Sequence, residues 1–431
     1  MLDPIGDPRI TGIEGQEVWD SRGRPTVEVR VRLANGVERR AIAPSGVSMG
    51  SGEALEKRDG GERLGGLGVR TAVDAVNGTI REALVGRDAM DLVAVDAALV
   101  ECDGTADKSR LGSNALVATS MAVAHAAAAA VGVPLWRHLA GYRNVVVPLP
   151  EIQIFGGGAH AARRTEIQDF MVTAVGAKDY TTALEMTAEV YRSAGELMAE
   201  RGHLYGVADE GGYWPMFDTN EAALETLLRA IERAGFTPGQ DLAICLDVAA
   251  SEFYEEKRYR LGPEDRKLDS DGLAELLMGW IERFPIVSLE DPFDEADSMG
   301  FTRFTAAVGH RVQIIGDDFL VTSAERVVEA AAEGACTALL VKPNQAGTLS
   351  EAKAAFDAAH QAGWQNVVSA RSGETEDMTV VHLAIGWSAE QLKVGSFARS
   401  ERMAKWNEGL RIIESLGNAA TLATPFEIYQ R

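Results

Sequence analysis

The sequence predicts a β/α barrel that follows a smaller α+β domain. From about residue 145 onward, short apolar runs alternate with amphipathic helical stretches, the pattern of parallel strands joined by helices. The length of 431 residues leaves room for a barrel of about 250 residues beside a second domain. Single charged residues end several of the apolar runs, and packing alone does not explain them. Charges at the ends of many different strands favour a barrel over an open sheet, in which ligands gather at one switch point.

The domain boundary is expected near Tyr142, with an α+β domain at residues 1–142 and the barrel at residues 143–431. In the first domain, the alternating run EVRVRL predicts a half-exposed antiparallel strand, and Asn35-Gly36 predicts a hairpin turn to the next strand. The Gly- and Ser-rich segment 44–55 predicts a mobile loop. Two Ala-rich helices are expected near residues 69–85 and 113–131. Barrel helices are expected at residues 181–200, 221–234, 271–283, 323–333, 349–361 and 376–387.

The composition limits the classes of partner and compartment. A formal net charge of −22 argues against nucleic acid, because phosphate backbones need a basic surface. An anionic substrate would therefore be held by local cations against the general field of the protein. The three cysteines are scattered in apolar surroundings, which argues against a disulfide framework or a zinc site. No signal peptide or long apolar run is evident, so a cytoplasmic protein without a membrane partner is expected.

Three carboxylates at predicted strand ends indicate a metal site. Asp247 follows LAICL, Glu290 follows IVSL and Asp317 follows QIIG. Oxygen ligands without histidine or cysteine select a hard cation, of which Mg²⁺ is the best match. The alternative is that each carboxylate caps the helix that follows it. Three such residues facing two lysines favour the metal.

Lys342, at the end of ALLVK, is the candidate base. A lysine in a barrel mouth near a dication is expected to have a lowered pKa, so that it can be neutral and accept a proton. The alternative is a salt bridge to one of the metal ligands. The second lysine, Lys393, is better suited to binding a substrate carboxylate.

The segment VVSARSGETED offers a phosphate site. Arg371 and Ser372 place a guanidinium beside a hydroxyl, a combination suited to phosphate. The alternative for Arg371 is an ion pair with Glu374 or Glu376. A metal, a base and a phosphate clamp suggest β-elimination from a carboxylate, since the metal would stabilise the enolate while the base takes the proton.

Two further residues could serve as acids on the opposite side of the substrate. Glu210 lies in VADEGGYWP, where two glycines after an acidic pair predict an irregular backbone beside a polar group. His160 lies in FGGGAHAARR. Each pattern also fits an ordinary turn or a structural histidine, so neither decides the chemistry alone.

A series of motifs resembles a known family. The sequence contains, in this order, WDSRGRPTVEV, PSGVSMGSGEALEKRDGG, LGSNAL, IQDFMV, DEGG, LDVAASEFY, PIVSLEDPFDEAD, IIGDDFLVT, LLVKPNQAGTLSE, ARSGETED and ARSERMAKWNEGLRI. Over residues 18–413 the chain resembles the enolase (phosphopyruvate hydratase) family. The resemblance implies the enolase fold, two Mg²⁺ ions per site, and removal of water from 2-phosphoglycerate to give phosphoenolpyruvate. It also implies a homo-oligomer, a dimer or higher.

The resemblance carries roles to individual positions. It implies the first Mg²⁺ ligands (Asp247, Glu290, Asp317), the base at C2 (Lys342), the acid (Glu210), the substrate-carboxylate contact (Lys393), the phosphate site (Arg371, Ser372), the serine that completes a second Mg²⁺ site as its loop closes (Ser48), and further pocket residues (His160, Gln168).

The chain departs from the family pattern around the substrate. Ala370 replaces a pocket histidine, and Asp169 is one methylene shorter than the usual glutamate. Other changes cluster nearby, at Gly156, Met49, Pro343 and in the run from Tyr213 to Met216. The catalytic set survives, which predicts retained elimination with altered substrate recognition. A specialised branch such as carboxyphosphonoenolpyruvate synthase of phosphonate antibiotic biosynthesis, acting on a phosphorylated or phosphonylated acid, is one alternative. A non-catalytic binding paralog is another.

Overall fold

The computed structural model describes residues 4–47, 49–262 and 265–429. Three antiparallel strands open the N-terminal domain: β1 (Ile10–Trp19), β2 (Pro25–Leu33) and β3 (Glu38–Ile42), in the order β1-β2-β3. The turn predicted at Asn35-Gly36 joins β2 to β3, and Gly36 takes the positive φ of +86° that such a turn requires. The helices of this domain are α1 (Arg70–Ala75), α2 (Arg81–Leu84), α3 (Leu92–Asp103), α4 (Ser113–Ala130) and α5 (Leu135–Ala140).

The expected helix over residues 69–85 is interrupted by a π-turn at residues 76–80. Asn77 explains it, because its side chain leaves the helix surface and pairs with the backbone of Gly15 in β1. Asn77 Oδ1 accepts from the Gly15 N–H at 2.9 Å, and Asn77 Nδ2 donates to the Gly15 carbonyl at 3.0 Å. A Cβ atom at Gly15 would lie 2.9 Å from Val76, so only glycine permits this close packing of strand and helix.

Eight strands close the barrel, which confirms the predicted fold class. In chain order they are β4 (Leu149–Gly156), β5 (Asp169–Thr173), β6 (Ala243–Asp247), β7 (Ile286–Glu290), β8 (Gln313–Gly316), β9 (Ala338–Val341), β10 (Gln365–Ser369) and β11 (Gln391–Gly395). The order around the barrel is β7-β8-β9-β10-β11-β4-β5-β6.

The expectation that every barrel strand is parallel was wrong for β5. This strand runs antiparallel to both β4 and β6. Residues 157–168 join β4 to β5 with only a short 3₁₀ turn, Gly158–Ala161, and a parallel pair would need a longer crossover helix. The reversal matters for the site, because it brings the first residue of β5, Asp169, opposite the last residue of β6, Asp247.

Nine helices connect or follow the barrel strands in the described residues: α6 (Tyr180–Glu200), α7 (Asn220–Arg233), α8 (Ser270–Arg283), α9 (Ser298–Val308), α10 (Ala324–Glu333), α11 (Pro343–Ala346), α12 (Leu349–Gln361), α13 (Thr379–Trp387) and α14 (Ser400–Leu416). Five of the six expected barrel helices begin within one residue of the observed start. The sixth, α13, begins three residues late because Asp377 binds the backbone N–H groups of Thr379 and Ile42. Among the described residues, no helix has both the length and the apolar character needed to cross a bilayer.

Candidate active site

The charged residues that end the barrel strands face one another at one mouth of the barrel. Asp247 and Glu290 are the last residues of β6 and β7 and are paired in register. Asp317 and Lys342 come directly after β8 and β9, and Lys393 lies within β11. All five side chains are buried. The carboxyl ends of adjacent parallel strands therefore place these groups together, as the sequence pattern predicts.

The three predicted metal ligands are divided between two lysines. Lys393 Nζ lies 2.8 Å from Asp247 Oδ2 and 2.8 Å from Glu290 Oε2. Lys342 Nζ forms a hydrogen-bonded salt bridge with Asp317. In the described residues, a different acidic group, Asp291 with Asp317 and Asp318, brings its ligand atoms within 4.8 Å of one another. The ammonium groups of Lys393 and Lys342 thus neutralise the carboxylates that a bound metal ion would otherwise neutralise.

Glu290 shows that these residues fit a cation. Its Oε1 atom is buried and has no hydrogen-bond partner among residues 4–47, 49–262 and 265–429. Burial, followed by the nearby charge of Asp247, raises the pKa of the Glu290 carboxyl well above its ordinary value. A buried carboxylate oxygen without a partner is costly, and a cation bound there would remove that cost. The acidic residues at this end of the barrel could therefore hold a metal ion.

The lowering of the Lys342 pKa was expected near a dication, and for that state it stays a prediction. Burial does disfavour the ammonium form, but the attraction of Asp317 outweighs it, so the pKa of Lys342 lies above its ordinary value. The alternative, a salt bridge to a predicted metal ligand, is what the structure contains. A dication on Asp317 would compete for that carboxylate and repel the ammonium, which are the conditions under which a lysine becomes a base.

A second buried group, formed by His160, Asp169 and Glu210, lies on the side of β4 and β5. His160 Nδ1 is 3.2 Å from Asp169 Oδ1, and His160 Nε2 is 3.7 Å from Glu210 Oε1. The ligand atoms of the three residues lie within 4.8 Å of one another. Burial alone would lower the His160 pKa, but the two carboxylates outweigh it and raise the pKa to about 9. The imidazole is therefore protonated at neutral pH and available as an acid.

Gln153 fixes Asp169 and accounts for a glycine that departs from the family pattern. Its Nε2 donates to Asp169 Oδ1, and its Oε1 accepts from the Gly212 N–H at 2.8 Å. A Cβ atom at Gly156 would lie 2.7 Å from the Ala208 Cβ and 3.1 Å from Gln153 Oε1. Any larger side chain at residue 156 would therefore displace the glutamine that orients Asp169.

His160 should make the stability of the protein depend on pH. Its pKa is about 9 in the folded protein, against 6.5 for an ordinary histidine. The stabilisation is fully present below pH 6.5 and is lost as the pH rises through about 9, a difference of about 3 kcal/mol. In Mg²⁺-free urea unfolding, the free-energy difference between the wild type and His160→Asn should therefore shrink by about this amount from pH 6 to pH 10. A difference that stays constant with pH would contradict the assignment of the proton to His160.

Arg371 is paired, but with neither of the residues considered from the sequence. Its Nη1 lies 3.0 Å from Glu53 Oε2 and its Nη2 lies 3.2 Å from Glu53 Oε1. The Glu374 side chain instead accepts the backbone N–H of Arg371 at 3.0 Å. The Ser372 hydroxyl is 3.4 Å from Arg22 Nη1. Sequence reasoning missed Glu53, although it lies within the quoted motif PSGVSMGSGEALEKRDGG.

Arg402, in α14, was also missed and supports the backbone of the phosphate site. Its side chain is fully buried. Its Nη1 donates to the carbonyls of Arg371 at 2.7 Å and Val394 at 2.8 Å, and its Nη2 donates to the carbonyl of Ser372 at 2.6 Å. One guanidinium therefore joins the segments that carry Arg371, Ser372 and Lys393.

A cavity of about 20 Å³ is lined by residues of both the lysine–carboxylate group and the His160–Asp169–Glu210 group. Its walls include Val47, His160, Gln168, Asp169, Glu210, Asp247, Lys342, Ser369, Ala370, Arg371, Ser372 and Lys393. Gln168 Nε2 donates to Asp247 Oδ2 at 3.0 Å. The replacement of a pocket histidine by Ala370 leaves no large open space here, because the lysine–carboxylate ion pairs close the cavity to about the size of one water. The predicted second-metal ligand, Ser48, lies outside the described residues.

Comparison with known families agrees with this geometry. Residues 10–139 match the family described as "Enolase, N-terminal domain", and residues 144–429 match "Enolase, C-terminal TIM barrel domain". The chain belongs to the enolase family. The barrel mouth of this enolase-family protein carries acidic groups that could bind a metal ion, which agrees with a lyase of this family. The domain boundary at residue 142 and the individual residue roles stay predictions.

Proposed function

We propose that the protein is a Mg²⁺-dependent hydro-lyase that removes water from 2-phosphoglycerate, or from a close phosphoryl or phosphonyl analogue, to give a phosphoenolpyruvate-type product. The observation that carries this proposal is that one cavity is lined both by Lys342, the candidate base, and by the His160–Asp169–Glu210 group, which offers the candidate acids. A base and an acid that reach the same substrate are what elimination requires.

Asp247, Glu290 and Asp317 would hold the metal. The unpartnered Glu290 Oε1 and the oxygen-only donor set support a hard cation, and the family association supports Mg²⁺. The bound ion would supply positive charge to the substrate carboxylate and stabilise the negative charge that develops there. Lys393, which pairs with Asp247 and Glu290, would turn to the same substrate carboxylate.

Lys342 would take the proton from the carbon next to the substrate carboxylate. The C2–H electron pair forms the new C2–C3 double bond, and the C3–O bond breaks. For this step the Lys342 amine must first lose its proton and its salt bridge to Asp317. Its burial disfavours the charged form once that partner is engaged elsewhere.

The single proton held by the His160–Glu210 pair would pass to the leaving hydroxide, so that it departs as water. His160 carries a proton at neutral pH because Asp169 and Glu210 flank it. The 3.7 Å gap between His160 Nε2 and Glu210 Oε1 is longer than a hydrogen bond and leaves both groups available to a substrate oxygen. Arg371 and Ser372, which also line the cavity, would bind the phosphoryl or phosphonyl group.

A second candidate is an altered substrate, as in a carboxyphosphonoenolpyruvate synthase of phosphonate antibiotic biosynthesis. Its support is the position of the departures from the family pattern. Ala370 lines the cavity, Asp169 replaces a longer acid, and Gly156 adjoins the glutamine that holds Asp169. Neutral substitutions at surface positions would not concentrate around one pocket.

An assay with 2-phosphoglycerate and Mg²⁺ separates the two candidates. A robust rise in the absorbance of phosphoenolpyruvate supports the plain hydro-lyase. Weak turnover that recovers with a larger phosphoryl or phosphonyl acid supports the altered substrate. Absence of turnover on every acid, together with absence of Mg²⁺ binding by calorimetry, would contradict both and favour a non-catalytic protein.

Restoring histidine at residue 370 tests the altered pocket directly. If the alanine has changed substrate choice, Ala370→His should raise kcat/KM for 2-phosphoglycerate relative to the larger acid by about tenfold, the size of one added polar contact. The measurement is the ratio of the two kcat/KM values in wild type and variant. Ala362→His, on the surface after α12, is the matched control. An unchanged ratio would count against a role of residue 370 in specificity.

A further inference from the structure

Glu53 connects the N-terminal domain to the site, and the steps above do not use it. It lies between β3 and α1, and its side chain is buried. Its two carboxylate oxygens bind the two terminal nitrogens of Arg371, at 3.0 and 3.2 Å. Asn344 adds a third contact, because its Oδ1 accepts a hydrogen bond from Arg371 Nη1 at 3.2 Å. The guanidinium is planar, so a bidentate carboxylate fixes both its position and its plane.

The same carboxylate reaches the predicted metal site through Gln345. Gln345 Nε2 donates to Glu53 Oε1 at 3.2 Å and to Asp317 Oδ1 at 2.9 Å. Gln345 Oε1 accepts from the Thr322 hydroxyl at 2.6 Å, which fixes the orientation of the amide. Groups that hold a metal ligand from behind commonly set its direction and the metal affinity.

Glu53 also organises the segment from which it comes. The Gly50 N–H donates to Glu53 Oε1 at 3.2 Å, and the Ala54 N–H donates to the Gln345 carbonyl at 2.8 Å. This segment carries Val47, which forms part of the cavity wall. The N-terminal domain therefore contacts the phosphate side and the metal side of the site through one carboxylate.

We propose that Glu53 is a positioning residue that holds Arg371 toward the phosphoryl or phosphonyl group of the substrate and, through Gln345, holds Asp317 toward the metal. The inference rests on the proposed function, because it takes Arg371 as the contact for that group. The opposite possibility is that Glu53 competes with the incoming anion for Arg371. The two differ in sign, since loss of a positioning carboxylate weakens anion binding and loss of a competitor strengthens it.

The test measures the dissociation constant of inorganic phosphate by calorimetry at saturating Mg²⁺. Glu53→Gln should weaken phosphate binding about tenfold, as removal of a supporting partner does in other sites. The same variant should raise KM for the substrate and also lower kcat. Glu53→Asp, which keeps the charge but is one methylene shorter, should fall between wild type and Glu53→Gln, and it replaces Glu53→Gln if that variant does not fold.

Glu295→Gln is the matched control. Glu295 Oε2 accepts the Ser51 N–H at 2.9 Å and so contacts the same segment without touching Arg371 or Gln345. Phosphate affinity should be unchanged in this variant. An equal loss in Glu295→Gln and Glu53→Gln would overturn the inference, because it would assign the effect to docking of the segment alone.

Arg371→Gln separates failure of this inference from failure of the proposed function. If Arg371→Gln loses phosphate binding but Glu53→Gln binds phosphate as well as or better than wild type, the positioning role is overturned and the phosphate site stands. If Arg371→Gln binds phosphate like wild type, or if wild type itself does not bind it, the phosphate assignment fails, and this inference fails with it.

Discussion

The Lys342→Ala variant is expected to lose exchange of the C2 proton of 2-phosphoglycerate with solvent while it still binds Mg²⁺. Lys342 is the amine at the cavity that can reach a proton next to a carboxylate bound at Lys393 and the metal. Removing a general base lowers a rate by about a hundredfold to ten-thousandfold, so exchange should fall by about a thousandfold. Deuterium incorporation at C2, followed by proton NMR in D₂O, measures this directly.

Lys353→Ala is the control for this experiment. Lys353 lies on α12 and pairs with Asp357. Its side chain is partly exposed, whereas the amine of Lys342 is buried. Its exchange rate and its Mg²⁺ affinity should match those of wild type. Exchange that persists in Lys342→Ala at the wild-type rate would show that another group takes the proton.

The Glu290→Gln variant is expected to lose Mg²⁺ binding. Glu290 provides a buried oxygen without a hydrogen-bond partner in the described part of the chain, and like-charged Asp247 lies in register beside it on the neighbouring strand. The amide keeps the shape of the side chain but removes its charge. Loss of a group that only supports a metal ligand costs up to about a hundredfold in affinity, so loss of a ligand itself should raise the dissociation constant of Mg²⁺ by at least that order. Calorimetric titration of the metal-free protein measures it.

Glu282→Gln is the control, because Glu282 lies on the exposed surface of α8 and forms an ion pair with Arg311, away from the barrel mouth. Its Mg²⁺ affinity should equal that of wild type, and circular dichroism should show that both variants fold. Wild-type Mg²⁺ affinity in Glu290→Gln would remove Glu290 from the metal site.

Much of the fold was predictable because the barrel repeats a local pattern. Apolar runs ended by single charges identified the ends of β6, β7, β8 and β9, and helical periodicity located α12 to the residue. The reversed direction of β5 was not predictable in the same way. It depends on the short connection at residues 157–168, whose two glycines carry no periodic signal.

The parts of the site that the sequence did not predict depend on contacts between distant residues. Glu53 and Arg371 are 318 positions apart, so no local spacing connects them. The pKa direction of Lys342 depends on whether Asp317 faces the lysine or a metal, and local sequence does not contain that information. In the sequence, Arg402 is a single charged residue in the segment that forms α14. Only the folded chain brings its guanidinium within hydrogen-bond distance of three backbone carbonyl groups.

A crystal structure determined after soaking with excess Mg²⁺ tests the central claim most directly. We expect one ion bound by oxygens of Asp247, Glu290 and Asp317, with Lys342 Nζ and Lys393 Nζ moved off these carboxylates toward the cavity. A site that remains without the ion at saturating Mg²⁺, with both lysines still paired as they are here, would contradict the proposed chemistry.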